Sequence, residues 1–196
     1  MKSGLLVVVS GPAGVGKGTV VSRARKKNKN IVYSVSATSR KPRPGEKDGT
    51  NYYFVSRERF KEMIRKQELV EWVEYCGNFY GTPRAYVEEQ LKKGRIVLLE
   101  IEVKGASNIK KQYPECVSIF IAPPDLDELK KRITNRGTEP PDVIEERMRR
   151  AEKEMEHISE YDYVVINDTV DNSSNRLLEI LEIELEAANK RMCESQ

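Results

Sequence analysis

The sequence contains few of the residues that build metal sites and disulfide frameworks. Among its 196 residues there is one histidine, His157, and there are three cysteines. A single histidine argues against a histidine-centred metal site or catalytic triad. The cysteines, Cys76, Cys116 and Cys193, are an odd number without metal-ligand spacing, which is typical of reduced thiols in a cytosol.

The sequence also lacks long apolar runs and linkers. No run approaches the roughly 18 apolar residues that a membrane span needs, and no block rich in Pro, Gly or Ser divides the chain. A strand pattern begins almost at the first residue, at Leu5. We therefore expect one compact domain over residues 1–196 of a soluble, cytoplasmic protein that has no membrane partner and is a monomer or a homodimer.

An excess of charge of one sign is absent as well. The formal net charge is +3, with 34 basic and 31 acidic residues, and this balance does not indicate a nucleic-acid partner. Charged residues make up 33% of the chain, above the typical value of about 25%, which predicts helices with well-solvated outer faces. The basic stretch from Arg23 to Lys29 fits such a solvated helix end.

One motif lies between the apolar run Leu5 to Val9 and that basic stretch. It fits the pattern Gly-x-x-x-x-Gly-Lys, and its residues are Gly11, Pro12, Ala13, Gly14, Val15, Gly16, Lys17, Gly18 and Thr19. Glycines let the backbone turn tightly and point its N–H groups at an anion. Lys17 adds a full positive charge at the start of the next helix, where the helix dipole also favours phosphate. The strand and helix patterns around the motif favour a phosphate-binding loop over a glycine-rich turn without a ligand.

The position after the lysine departs from the usual pattern. It is commonly Ser or Thr, whose hydroxyl ligates magnesium, but here it is Gly18, and the hydroxyl follows at Thr19. We therefore assign no direct protein ligand to a metal. Mg²⁺ sheds its waters reluctantly and can be held mainly by phosphates and water, so nucleotide binding with Mg²⁺ is still expected.

Alternation of strands and helices indicates the fold class. Near-continuous apolar runs predict four interior parallel strands, at Leu5 to Ser10, Ile96 to Ile101, Val117 to Ala122 and Tyr163 to Asn167. Helix patterns lie at Val103 to Gln112, from a cap at Pro123-Pro124-Asp125 to Arg136, and after Asp171, before a polar tail from Ala187 to Gln196 that is expected to fray. The order predicts an α/β fold with a parallel core sheet flanked by helices and with ligands at the carboxyl ends of its strands.

Two segments depart from this alternation. From Ser34 to Tyr80 the sequence has short alternating pieces, Tyr52 to Val55 and Leu69 to Tyr75, with a helix near Arg57 to Lys66. This predicts a small, mostly β insert. From Arg132 to Arg150 a strongly charged helical pair is broken by Gly137 and Pro140-Pro141, and its low apolar content suggests a lid.

The β insert carries a second group of polar side chains, Ser36, Arg40, Arg43, Tyr52, Glu71, Tyr80 and Thr82. Two guanidinium groups and two phenol hydroxyls would suit a dianionic phosphate, because Arg binds its oxygens bidentately. Glu71 could accept from the N1–H and amino group of guanine while a hydroxyl donates to O6, and adenine has neither that N1–H nor that oxygen. Taken singly, however, such arginines are more often solvated and such tyrosines more often packed.

From Leu5 to about Leu185 the sequence resembles the guanylate kinase family. Besides the loop from Gly11 to Thr19, the motifs that carry the resemblance are Ser34-Val35-Ser36-Ala37-Thr38-Ser39-Arg40-Lys41-Pro42-Arg43, Asp48-Gly49 with Tyr52, Glu71-Trp72, Gly77-Asn78-Phe79-Tyr80-Gly81-Thr82, Ile121-Ala122-Pro123-Pro124, Arg136-Gly137-Thr138-Glu139 and Val165-Ile166-Asn167-Asp168. Three residues depart from the family pattern. Glu100-Ile101-Glu102 stands where the family often has Asp-x-Asp, and Ala13 where it often has Ser.

The resemblance implies a P-loop kinase fold in one guanylate kinase-like domain. Its core would be residues 1–34, 95–125 and 160–190, its GMP-binding insert residues 35–94 and its lid residues 126–159. In the insert, the GMP phosphate would be bound by Arg40, Arg43, Tyr52 and Tyr80, and the base by Ser36, Glu71 and Thr82. Glu102 would position GMP or a metal-bound water.

The resemblance also implies the reaction, ATP plus GMP giving ADP plus GDP, with dGMP as a further acceptor and a place in purine nucleotide metabolism. The loop from Gly11 to Thr19 would bind ATP, with Asn167 at the adenine, and the catalytic cations would be Lys17, Arg132, Arg136 and Arg147. Two alternatives stay open: a catalytically inactive module that binds protein partners, and a related kinase with a different phosphorylated acceptor.

Overall fold

The computed structural model describes residues 4–75, 77–134 and 141–194. The strands and helices, in chain order, are β1 (Leu5–Ser10), α1 (Lys17–Lys27), β2 (Ile31–Tyr33), β3 (Ala37–Thr38), β4 (Tyr53–Phe54), α2 (Arg57–Arg65), β5 (Leu69–Tyr75), β6 (Asn78–Pro83), α3 (Arg84–Lys92), β7 (Ile96–Glu100), α4 (Val103–Gln112), β8 (Val117–Ala122), α5 (Leu126–Thr134), α6 (Pro141–Met155), β9 (Tyr163–Ile166) and α7 (Val170–Glu194). A 3₁₀ turn at Ile158–Glu160 precedes β9.

The first sheet is parallel, and among the described residues its strand order is β2, β7, β1, β8, β9. The strand β1 is buried along its whole length. Leu5, Val7 and Val9 face one side, which α1 and α7 cover, whereas Leu6 and Val8 face the other side, which α3 and α4 cover. This arrangement confirms the predicted α/β fold with a parallel core sheet flanked by helices.

The predicted interior position of the strand from Tyr163 to Asn167 is wrong. The strand β9 lies at the edge of the sheet beside β8, and Val164 and Ile166 are 42% and 48% exposed. Its apolar residues therefore do not all face the core. The opposite edge is β2, a three-residue strand that the apolar pattern did not indicate.

A second sheet contains short strands in the order β4, β3, β6, β5. The hairpin of β5 and β6 is antiparallel and turns at Gly77, whose φ is 73°. The helix α2 begins after Ser56, whose side chain accepts the backbone N–H of Arg59, and it packs Phe60 against Phe79 with ring centroids 5.3 Å apart. The strand at Leu69–Tyr75 has its predicted bounds.

The charged helical pair has more apolar anchorage than its sequence indicated. In α5, Leu129 and Ile133 are buried, and α6 packs Ile144, Met148 and Ala151 against the core cluster. The predicted cap of α5 is confirmed, because Asp125 Oδ1 accepts the N–H of Glu128 at 2.6 Å. Arg136, Gly137 and Pro140 lie outside the described residues.

The last helix extends beyond its predicted end. Instead of fraying from Ala187, α7 continues to Glu194. Ala188 packs against the core cluster, and Arg191 Nε lies 3.6 Å from a carboxylate oxygen of Glu115. Within the described ranges, no helix combines the length and apolar character that a membrane crossing requires.

Candidate active site

The glycine-rich loop connects β1 to α1 at the carboxyl end of the sheet. Its Gly11 and Gly16 have φ values of 142° and 95°, which L side chains rarely adopt. A Cβ at Gly16 would lie 2.7 Å from Asn167 Nδ2, and one at Gly11 would collide with the carbonyl of Ile121. Both conformation and close packing therefore require glycine here.

Lys17 is held within this loop in the structure. Its Nζ donates to the carbonyl of Gly11 at 2.5 Å and to that of Pro12 at 3.2 Å. Because Lys17 is also the first residue of α1, the ammonium group and the helix N-terminus present positive charge to the same region.

A cavity of about 370 Å³ lies between the loop and the second sheet. Its lining residues are Ala13, Lys17, Tyr33, Ser36, Arg40, Arg43, Tyr52, Glu71, Val73, Tyr75, Tyr80, Gly81, Glu100, Ile101 and Glu102. Most of the residues expected at the GMP site thus share one cavity with Lys17. Tyr33, Val73 and Tyr75 line it as well, although no sequence motif indicates them.

Arg40 is fixed on one side of this cavity by a carboxylate that no sequence motif indicated. Its two Nη atoms each donate to an oxygen of Glu46 at 2.9 Å, and hydrogen bonding to Glu46 raises the pKa of the guanidinium further above its ordinary value. The guanidinium carbon lies 5.4 Å from the Tyr52 ring centroid and 5.7 Å from that of Phe54. An acidic residue six positions after Arg40 is the feature of the sequence from which this pair could have been predicted.

Three tyrosine rings meet in the same region. The ring of Tyr80 meets that of Tyr52 edge-on with centroids 5.9 Å apart, and that of Tyr75 with centroids 6.5 Å apart. Burial raises the pKa of Tyr52 above its ordinary value, and the neighbouring Tyr80 adds to this shift. The phenol of Tyr52 therefore acts as a hydrogen-bonding group rather than as a phenolate.

Glu71 is buried deeper in the cavity, with 5% exposure. The hydroxyl of Thr82 donates to Glu71 Oε1 at 2.7 Å. Burial raises the pKa of Glu71 to about 7, and the hydrogen bonds from Thr82 oppose that rise only in part. A Cβ at Gly105 on α4 would lie 2.9 Å from Glu71 Oε2, so the absence of a side chain at position 105 makes room for this carboxylate.

Carboxylates also lie near the loop at the end of β7. The oxygens of Glu100 would be 3.5 and 3.7 Å from a Cβ placed on Gly18. Burial raises the pKa of Glu100, and the charge of Lys17 opposes the shift. On α6, burial raises the pKa of Glu154 to about 7, and the adjacent Glu102 contributes in the same direction.

Asn167 and Arg132 lie behind the loop and do not line the cavity. Asn167 Nδ2 donates to the carbonyl of Val15 at 2.7 Å, and its Oδ1 accepts from Ser173 Oγ at 2.9 Å. Arg132 donates to the carbonyl oxygens of Asn167 at 3.0 Å and Val15 at 3.4 Å. Arg147 is half-buried on α6, and Arg136 lies outside the described residues.

Known proteins match both the sequence and this geometry. The family model for guanylate kinase matches residues 3–184. A guanylate kinase of Halalkalibacterium halodurans is 55% identical over 183 residues, which are 93% of this chain and 90% of that protein. The chain belongs to the guanylate kinase family. The resemblance found in the sequence is therefore confirmed.

Solved structures agree with the family assignment. The guanylate kinase from Anaplasma phagocytophilum is 37% identical, with a TM-score of 0.78 over 94% of this chain and 87% of that one. A shikimate kinase from Bacteroides thetaiotaomicron, at 16% identity and a TM-score of 0.50, shares the fold over 91% of this chain and 98% of its own. The fold is thus one used by kinases of different acceptors.

Proposed function

We propose that the protein is an ATP:GMP phosphotransferase, which converts ATP and GMP, or dGMP, to ADP and the diphosphate. The observation that carries this proposal is the single cavity shared by Lys17 of the glycine-rich loop and the buried carboxylate of Glu71. A phosphate donor at the loop and a guanine at Glu71 would face each other across it. Membership of the guanylate kinase family supports the same reaction.

On the acceptor side, the phosphate of GMP would contact Arg40, Arg43, Tyr52 and Tyr80. Glu46 holds the Arg40 guanidinium in place by accepting from both of its Nη atoms, and a guanidinium with five N–H groups can bind a carboxylate on one edge and a phosphate on another. The loop that carries Arg43 is fixed by the same carboxylate. GMP would therefore meet a preorganised phosphate site.

The base of GMP would be read by Glu71. Ionised Glu71 can accept from both the N1–H and the amino group of guanine, whereas adenine lacks that pair of donors. A threonine hydroxyl has one proton to donate, and Thr82 already gives its proton to Glu71. This leaves the hydroxyl of Ser36 as the donor to O6 and makes Thr82 the residue that orients Glu71.

On the donor side, the loop from Gly11 to Thr19 would surround the phosphates of ATP. The adjacent carboxylates fit the expected Mg²⁺, because Gly18 has no side chain to block the oxygens of Glu100 and Mg²⁺ prefers oxygen ligands. We infer that Glu100 and Glu102 would hold the ion through water. When bound, Mg²⁺ supplies positive charge that neutralises the phosphate oxygens.

Transfer itself requires positioning and charge neutralisation. Lys17 would hold the β and γ phosphates, with Arg132, Arg136 and Arg147 closing over the transferred group. Arg132 donates to the carbonyl oxygens of Val15 and Asn167 in this structure, so it would exchange these acceptors for phosphate oxygens. The GMP phosphate is already anionic near neutral pH, and no general base is required.

These roles agree with a division of the domain into a core (1–34, 95–125 and 160–190), an acceptor insert (35–94) and a lid (126–159). We propose that insert and lid move against the core, which excludes the water that would otherwise hydrolyse ATP. The proposed setting is the cytoplasm, in purine nucleotide metabolism.

An acceptor panel tests the proposed function. ADP formation is measured with ATP and Mg²⁺ in the presence of GMP, dGMP, AMP or a sugar phosphate. We expect turnover with GMP and dGMP and little with the others. Equal turnover with AMP or a sugar phosphate would favour a kinase with another acceptor, and no acceptor-dependent ADP at all would favour a module that binds partners. The retained Lys17 argues against the inactive module.

A further inference from the structure

The helix α6 contacts both halves of the cavity from one of its faces. Arg150 and Glu154 are four residues apart on this helix, which places them on the same side, one turn apart. Arg150 reaches the second sheet at Tyr75, whereas Glu154 lines the same cavity as Glu102 and lies near Ala13 of the glycine-rich loop. A shift of α6 therefore changes contacts on both sides at once.

The contact with the second sheet has a defined geometry. Arg150 Nη1 donates to the hydroxyl of Tyr75 at 3.0 Å, and its guanidinium carbon lies 5.5 Å from the centroid of the same ring. Arg150 Nε also donates to Glu146 at 2.9 Å, one turn earlier on α6. This second bond limits the rotamers of Arg150 and directs its Nη1 toward Tyr75.

Tyr75 connects this contact to the acceptor site. It lines the cavity, and its ring meets Tyr80 edge-on, which in turn meets Tyr52. Tyr80 and Tyr52 are the phenols proposed for the GMP phosphate. One aromatic ring therefore separates Arg150 from a group that would bind the acceptor.

At the other end, Glu154 lies where donor phosphates would approach. It lines one cavity with Glu102, Arg150 and Tyr75, and the backbone of Ala13 and the charges of Lys17 and Glu102 act on its carboxylate. A carboxylate repels phosphate oxygens and competes for the same N–H groups. The position of α6 thus determines how strongly Glu154 opposes the donor nucleotide.

We propose that Arg150 is a positioning residue that couples the two nucleotide sites through Tyr75. A phosphate bound at Tyr80 and Tyr52 moves the tyrosine rings, and the Arg150 contact transmits that movement to α6 and so to Glu154. Each nucleotide then strengthens the binding of the other, because coupling between two sites is reciprocal. This inference rests on the proposed function.

Isothermal titration calorimetry tests the coupling. A non-hydrolysable ATP analogue is titrated with Mg²⁺ in the absence and presence of saturating GMP, and the ratio of the two dissociation constants is the coupling factor. The variants are Tyr75→Phe, Arg150→Met and their combination. Arg149→Met is the matched control, because Arg149 is a neighbouring residue of α6 that is exposed and also pairs with Glu146.

We expect Tyr75→Phe, which removes only the hydroxyl acceptor, to lower the coupling factor by about three- to tenfold. Arg150→Met should lower it at least as much, and the double variant no further than Arg150→Met. Each nucleotide alone should bind within about twofold of the wild type. Arg149→Met should retain the wild-type factor, and thermal unfolding verifies that each variant is folded.

Any of three results would overturn the inference. The first is a wild-type coupling factor of one, and the second is a factor that is unchanged in Tyr75→Phe and Arg150→Met. The third is that these variants weaken each nucleotide equally when it binds alone. The wild-type acceptor panel is the separate test of the proposed function. If GMP is phosphorylated but the coupling factor does not depend on Arg150, the inference fails and the function stands. If GMP is neither bound nor phosphorylated, both fail.

Discussion

The guanidinium of Arg40 and the carboxylate of Glu46 form a bidentate pair, with both N–H···O distances at 2.9 Å. The same carboxylate accepts the backbone N–H of Arg43 at 2.7 Å. Glu46 therefore fixes the side chain of one proposed phosphate ligand and the backbone of the other. A residue outside the proposed contacts thus organises the loop that makes them.

Replacing Glu46 should weaken GMP selectively. In Glu46→Gln one acceptor oxygen becomes a donor, and the loop must order on binding, so we expect the KM for GMP to rise about three- to tenfold. The KM for ATP should change less than about twofold. Steady-state kinetics with each nucleotide varied measure both. Glu62→Gln, which removes exposed ion pairs on α2, is the control, and an equal rise in both KM values would contradict the assignment.

The affinity for GMP should increase with pH around neutrality. Burial raises the pKa of Glu71 to about 7, and only the ionised carboxylate accepts both guanine donors. Below this pH the ionised fraction falls about tenfold per pH unit. The dissociation constant of GMP, measured from about pH 6 to about pH 8, should show this step. Glu71→Gln is the control, because the GMP phosphate titrates in the same way with either protein. The variant should bind GMP weakly at every pH and should lack the step that Glu71 causes.

Glu71 should also make the free energy of unfolding fall as pH rises, whereas the affinity for GMP rises. Because the pKa of Glu71 in the folded chain is about 7 and its ordinary value is 4.5, the folded state binds the proton more tightly than the unfolded state. This contribution is fully present below the ordinary pKa and is lost as pH rises through about 7, up to about 3 kcal/mol in the free energy of unfolding. Urea unfolding without nucleotide measures it. A wild-type slope that persists in Glu71→Gln would assign the effect to another group.

Gly77, in the turn between β5 and β6, is a control for Gly16 of the glycine-rich loop. Both have positive φ, 95° and 73°, but only at Gly16 would a Cβ meet another group, 2.7 Å from Asn167 Nδ2. Each change to Ala should lower the free energy of unfolding by about 1–2 kcal/mol, because Ala adopts a positive φ less readily than Gly. Gly16→Ala should lose about 1–3 kcal/mol more and raise the KM for ATP at least about tenfold. Gly77→Ala should leave both KM values unchanged, as kinetics and urea unfolding can show.

Asn167 has two possible roles, support of the glycine-rich loop and recognition of adenine, which a substitution can distinguish. Its amide group is buried and bonded at both ends, to Val15 and Ser173, which favours support of the loop over direct reading of adenine. We expect Asn167→Ala to lower the free energy of unfolding by about 1–3 kcal/mol and to weaken ATP and GTP as donors by the same factor. If ATP loses much more than GTP, Asn167 reads the adenine base after all.

Local patterns explain which parts of the fold could be predicted. The strands β1 and β8 begin and end where their apolar runs do, because a strand covered on both faces needs an unbroken run. The edge strand β2 has only three residues, too few for a periodic signal. The strand β9 looked interior because Val164 and Ile166 are apolar, although no sequence rule shows on which flank of the sheet a strand lies.

The residues that line the cavity could be predicted where residue chemistry sufficed, and they were missed where distant segments meet. Glu71 could be selected from its match to guanine donors. The roles of Tyr75 and Glu154 depend on the placement of α6 against the second sheet, and the residues that make this contact are 75 positions apart in the chain. Burial of Asn167 likewise results from the packing of Ser173 behind the loop. An amide residue at the end of a strand pattern does not by itself indicate that contact.

The burial of β1 from both faces determines which parts of the molecule can move. All six residues of this strand are buried, and it is paired with β7 and β8, so its amide protons exchange only when the whole core opens. The glycine-rich loop is therefore anchored at one end to the slowest-exchanging element. Adjustment to two nucleotides of different size must then come from the short strands and from α6, whose amides should exchange through smaller, local openings.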